Sequence, residues 1–84
     1  MEEMNAGYKV IEAETYTTDN CGKQARIVLG QKMTTHGAMF VTWESVAYPQ
    51  DNGSYRIEYF WGHYFDDGRA AFADYYRRLL EKYE

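Results

Sequence analysis

Four runs rich in β-branched and aromatic residues lie at about Tyr8–Tyr16, Gln24–Met33, Ala38–Val46 and Ser54–Tyr64. This composition predicts strands. Gly22, Gly37 and Gly53 fall between the runs, where the chain has to turn. A helical period follows. Phe72, Tyr75, Tyr76, Leu79, Leu80 and Tyr83 recur at i, i+3, i+4, i+7, i+8 and i+11, the spacing of one buried stripe. The helix is expected to begin near Asp67, whose carboxylate caps free backbone N–H groups while Asp66 adds favourable charge. Arg69, Asp74, Arg77, Arg78, Glu81 and Lys82 then take the solvent side. Short connections make neighbouring strands antiparallel. The reading is a single α+β domain over residues 1–84. It is a four-stranded antiparallel meander sheet with one C-terminal helix packed on one face, ββββα.

The pattern also suggests a register. A three-residue loop Thr35-His36-Gly37, with Gly37 left-handed, sets Leu29 opposite Trp43 and Met33 opposite Met39. Pairing Trp43 with Ile57 sets Phe40 against Phe60 and Glu44 against Arg56, both favourable cross-strand pairs. Ile11 opposite Leu29 sets Glu14 against Arg26. The helix would then cover Ile27, Leu29, Val41, Trp43, Ile57, Tyr59 and Trp61. The opposite face would stay open, with Tyr8, Lys32, Phe40 and Phe60 in one row across it. Gly30 would leave a dip beside that row, able to seat a ring.

Exposed aromatics beside a cation are unusual on a monomer surface, which makes this row the candidate partner-binding patch. Arg56, and Tyr48 in the loop Ala47–Gly53, complete the set. Three readings stay open. Phe40 and Phe60 merely pair with each other or lie under Met1–Gly7; the patch is a homodimer or partner-protein interface; or it stacks a small nucleotide or single-stranded nucleic acid.

Composition narrows the choice. A chain of 84 residues has one small core, and 15 aromatics (9 Tyr, 4 Phe, 2 Trp) exceed what it can hide. The net charge of −4 argues against non-specific nucleic-acid binding, which depends on neutralising phosphates. Cys21 is the only cysteine, so no internal disulfide can form; that and the acidic N-terminus suggest a reducing cytoplasm. No apolar run approaches the ~18 residues that would suggest a membrane span.

Chemistry is sparse. His36 falls in a turn, while His63 stands near Asp66 and Asp67 as either a general base or a packed corner residue. No nucleophile motif, phosphate-cradling loop or metal-ligand spacing is present. The expectation is a non-catalytic binding module without cofactor or metal.

Two resemblances bear on this. Val41-Thr42-Trp43-Glu44 and Tyr59-Phe60-Trp61-Gly62-His63-Tyr64-Phe65-Asp66-Asp67 resemble small proteins carried by phages and integrative elements of Firmicutes. That resemblance implies a mobile-element origin, a cytoplasmic life in a bacterial host and, by analogy, an inhibitor of a host defence protein, such as an anti-CRISPR protein or a nucleotide sponge. The strand, Phe-Asp-Asp and helix passage with Ala70, Ala71 and Tyr75 is similar to the sheet-then-helix DNA-binding domains of ethylene-response factors and phage integrase arms. Those read DNA with a basic sheet, whereas here Glu12, Glu14, Glu44 and Glu58 mix with Arg26, Lys32 and Arg56.

Overall fold

Ala6 and Gly7 both have positive φ (53° and 83°), the geometry of a tight two-residue hairpin turn. This turn adds a strand that the composition did not reveal. The computed structural model describes residues 2–84. Its elements are β1 (Met4–Asn5), β2 (Tyr8–Thr18), β3 (Gln24–Thr34), β4 (Gly37–Pro49), β5 (Tyr55–Phe65) and α1 (Gly68–Lys82). The strands form an antiparallel meander in the order β1-β2-β3-β4-β5. The α+β class and the C-terminal helix agree with the sequence reading; the strand number is five rather than four.

The β3–β4 ladder runs one residue out of the expected register. Thr34 pairs with Gly37, so the turn holds two residues rather than three. The Thr34 hydroxyl stabilises it, donating to Gly37 O (2.8 Å) and accepting from His36 N (3.1 Å). Val28 therefore lies opposite Trp43, and Leu29 opposite Thr42. A slip of one residue sends a strand's side chains to the opposite face. Ile27 and Leu29 stay under the helix, while Val41 and Trp43 turn away from it. The β4–β5 hairpin is also tighter than expected: pairing continues to Pro49 and Tyr55, so Phe40 faces Phe65, and Phe60 faces Glu44.

Bulges correct the parity elsewhere. In β2 the ladder shifts between Val10 and Glu12 and again between Thr15 and Thr17. The extra residues, Ile11 and Tyr16, both pack against the core beneath α1. In β5, Trp43 is opposed by two residues, Trp61 and Gly62. Trp61 takes the left-handed conformation there (φ 54°), which is strained for a bulky side chain.

The sheet thus divides the core in two. On one side Ile27, Leu29, Ala71, Tyr75 and Leu79 form a cluster flanked by Phe40, Phe65 and Phe72. On the other, Tyr8, Val28, Val41 and Trp43 cluster with Val10, Met39 and Tyr59. The sheet curls into a nearly closed barrel shape, bringing the Tyr8 and Tyr64 rings to 6.2 Å. Side chains bridge from the N-terminal segment to the last strand. Glu3 receives two bonds from Arg26 on β3 (3.1 and 2.7 Å) and one from the Tyr59 hydroxyl on β5.

Candidate functional site

The six residues singled out in the sequence do not form one patch. Tyr8 and Lys32 do share the face away from α1, with the ammonium 4.7 Å from the ring centroid. Tyr8 is nevertheless buried, edge-on to Trp43 at 5.8 Å. The dip at Gly30 is already filled: a Cβ there would stand 3.1 Å from Tyr8 Cβ and 3.2 Å from Trp43 Cζ3. Phe40 lies under the start of the helix, 3.2 Å from where a Cβ of Gly68 would be. Phe60, opposite Glu44, is on the helix side too. Tyr48 and Arg56 pair at the far end of the same side, with the guanidinium 4.2 Å from the ring. The physical reason is the register: both hairpins are tighter than their loop residues suggested. No platform for a stacked base is assembled from Tyr8, Phe40 and Phe60.

The helix is also turned about its axis relative to expectation. Ala71, Tyr75 and Leu79 are buried, and so are Asp74 and Arg78, which the spacing had placed in solvent. The cause is polar. The Thr42 hydroxyl donates to Asp74 (2.6 Å), and the His63 ring nitrogen Nδ1 lies 2.9 Å from the same carboxylate oxygen. Arg77 pairs with the other oxygen. Arg78 donates to Thr42 O (3.0 Å), Thr42 Oγ1 (2.9 Å) and Trp61 O (2.9 Å), satisfying backbone carbonyls where the β5 bulge interrupts the ladder. Lys82 reaches Glu44 at 3.1 Å. His63 thus partners Asp74 rather than Asp66 or Asp67, and Asp67 caps the helix by accepting from Arg69 N (3.0 Å). This constellation anchors α1 to β4 and β5.

Burial tends to raise the Asp74 pKa, but the bonds from Thr42, His63 and Arg77 outweigh it and hold the carboxyl below its usual 3.8. Burial likewise opposes, and Arg26 and Tyr59 overcome, at Glu3, which is held below its usual 4.5. Both groups have depressed folded-state values. Their contributions are therefore complete above the unfolded-state values and disappear as pH falls through the folded ones. Urea stability should be level above about pH 5 and fall below about pH 4. Asp74→Asn should flatten part of that acid limb; an unchanged limb would show that Asp74 does not supply it.

Turning the helix toward β4 and β5 leaves its opposite flank uncovered. Tyr76, Leu80 and Tyr83 are 53, 65 and 61% exposed. They stand over a groove of about 280 Å³ between α1 and β2, lined by Glu12, Ala13, Glu14, Tyr75, Tyr76, Leu79, Leu80 and Tyr83. Glu12 and Glu14 oppose Leu29 and Ile27 and so project to the helix side. Burial, with added repulsion from Glu12 and Glu14, pushes the Tyr75 phenol up to about 12. Among the described residues neither glutamate has an ion pair. The sequence reading placed Tyr76, Leu80 and Tyr83 in the core, and so passed over this groove. On the β5 side, Trp61 is 70% exposed, apart from the groove.

Among the described residues no group of three or more His, Cys, Asp or Glu side chains is arranged to hold a metal ion, and no helix is long and apolar enough to cross a membrane. In comparisons with protein-family models, curated proteins and solved structures, no match to this chain was found.

Proposed function

We propose that the chain is a non-catalytic binding module and that it recognises another protein through the groove between α1 and β2. One observation carries this reading: three large apolar side chains, Tyr76, Leu80 and Tyr83, stand exposed together around a preformed cavity. A contiguous apolar patch of this kind marks an interaction site more often than a plain surface, and tyrosine is a frequent anchor. The working surface is thus the helix flank and not the row containing Phe40 and Phe60. The acidic rim supplied by Glu12 and Glu14 disfavours phosphate, so it supports a protein partner over a nucleotide or DNA. The biological setting we propose is a phage or mobile-element inhibitor of a host defence protein. It rests on the resemblance of residues 41–44 and 59–67, and the groove reading stands without it.

A bait experiment with bacterial lysate separates the surfaces. Leu80→Glu puts a charge into the groove at an exposed position, where folded stability should change by no more than about 0.5 kcal/mol. Species retained by the unmodified chain should be lost on Leu80→Glu and kept on Trp61→Ala. The reverse result would move the binding surface to β5. Retention of nothing by the unmodified chain would remove the reading.

A further inference from the structure

The free edge of β2 runs beside the groove. β1 pairs only with Tyr8 and Lys9, and Glu3 O accepts from Val10 N. Beyond Val10, the β2 backbone pairs with β3 alone among the described residues. The two bulges bracket a regular stretch, Glu12–Thr15, whose residues are all exposed. Above it project Tyr76, Leu80 and Tyr83, which have no strand beneath them to cover. The fold is in this sense one short strand narrower than its helix. Unpaired strand edges of this kind are the templates on which extended peptides add.

We propose that the groove and the β2 edge together take an extended peptide segment bearing lysine or arginine, added as a strand along Glu12–Thr15. The proposal rests on the groove being the binding surface and goes further by naming the occupant. Backbone groups of the segment bond to the outward-facing amides and carbonyls of β2. One face of the segment lies under Tyr76, Leu80 and Tyr83. A cationic side chain on that face meets Glu12 and Glu14, and the tyrosine rings offer it a further favourable surface.

Charge selects this occupant over a second copy. In a two-fold pairing of β2 strands centred on Ala13, Glu12 of each copy would face Glu14 of the other. Like charges directly opposite are destabilising, and the chain as a whole carries −4. A cationic segment instead neutralises two carboxylates that have no ion pair among the described residues.

The test is selection from a random-peptide display library on the full-length chain. Winning peptides should carry lysine or arginine alternating with apolar or β-branched residues. They should bind at least tenfold more weakly to the double variant Glu12→Gln/Glu14→Gln, and more weakly as salt rises. On binding they should slow hydrogen exchange at outward-facing amides within residues 12–15. Winners without a cation, indifference to the double variant, unchanged exchange, or no enrichment at all would each overturn the proposal. Protection of the same amides on raising the concentration of the chain alone would assign the edge to a second copy and likewise overturn it. Leu80→Glu keeps the two readings distinguishable. Peptides bound equally by that variant would take down the groove. Peptides lost on it but indifferent to the two glutamates would leave the groove and remove the cationic strand.

Discussion

Trp43→Ala is expected to cost about 3–5 kcal/mol, which is comparable to the whole net stability of a domain this small. The indole is 4% exposed and lies over the sheet face away from α1. Two glycines make room for it. A Cβ at Gly30 would come 3.2 Å from its Cζ3, and one at Gly62 would come 2.9 Å from its Nε1. Tyr8 and Tyr59 meet it edge-on at 5.8 and 5.3 Å, and such pairs add about 0.5–1.5 kcal/mol each beyond area burial. The two glycines have no side chain with which to refill the space. Urea unfolding followed by circular dichroism should show the variant losing most of its cooperative transition. Trp43→Phe should fall between the two. A loss below about 1 kcal/mol would mean that the indole is not a keystone of the barrel interior.

Arg78→Met should also be costly, at about 2–4 kcal/mol, because two backbone acceptors lose their donor. The methionine keeps much of the aliphatic length and the helix propensity, so the change isolates the guanidinium. That group is buried and donates to the Thr42 carbonyl, the Thr42 hydroxyl and the Trp61 carbonyl. Hydrogen bonds from a charged donor are worth about 1.5–3 kcal/mol each, and the two carbonyls would be left without their partner. Arg78→Lys should recover only part of the loss, since an ammonium is a point charge and lacks the planar fork. Chemical denaturation supplies the magnitude. Faster amide exchange around residues 61–63 would tie it to the bulge. Equal stability of the arginine and methionine forms would show that the bulge holds itself.

The helix and the meander were legible in the sequence because each has a strong local signal. Asp67 is a cap wherever the helix packs, and valine, isoleucine and tyrosine mark strands in any register. The faces were not legible, because they depend on the β3–β4 turn, which Thr34 tightens through its side chain, and on three bulges. Each bulge inserts one residue, Ile11, Tyr16 or Trp61, that composition cannot distinguish from an ordinary strand residue. The candidate groove was missed for a related reason. Tyr76, Leu80 and Tyr83 extend the apolar stripe past what one sheet face can cover, and Asp74 and Arg78, at i and i+4, looked like solvated charge. Thr42 and the carbonyl freed at Trp61 draw that pair inward, which rotates the tyrosines out. A stripe too wide for its sheet, beside an acid–base pair facing a bulge, is the signal that was there to read.

The two tryptophans sit in opposite surroundings, one sealed between glycines and the other displayed on the kink of the last strand. Trp43 should therefore emit at shorter wavelength and resist iodide, while Trp61 should emit in the red and be readily quenched. The chain carries two intrinsic optical reporters as a result: one follows melting of the interior, the other registers events at the rim, and no label is needed.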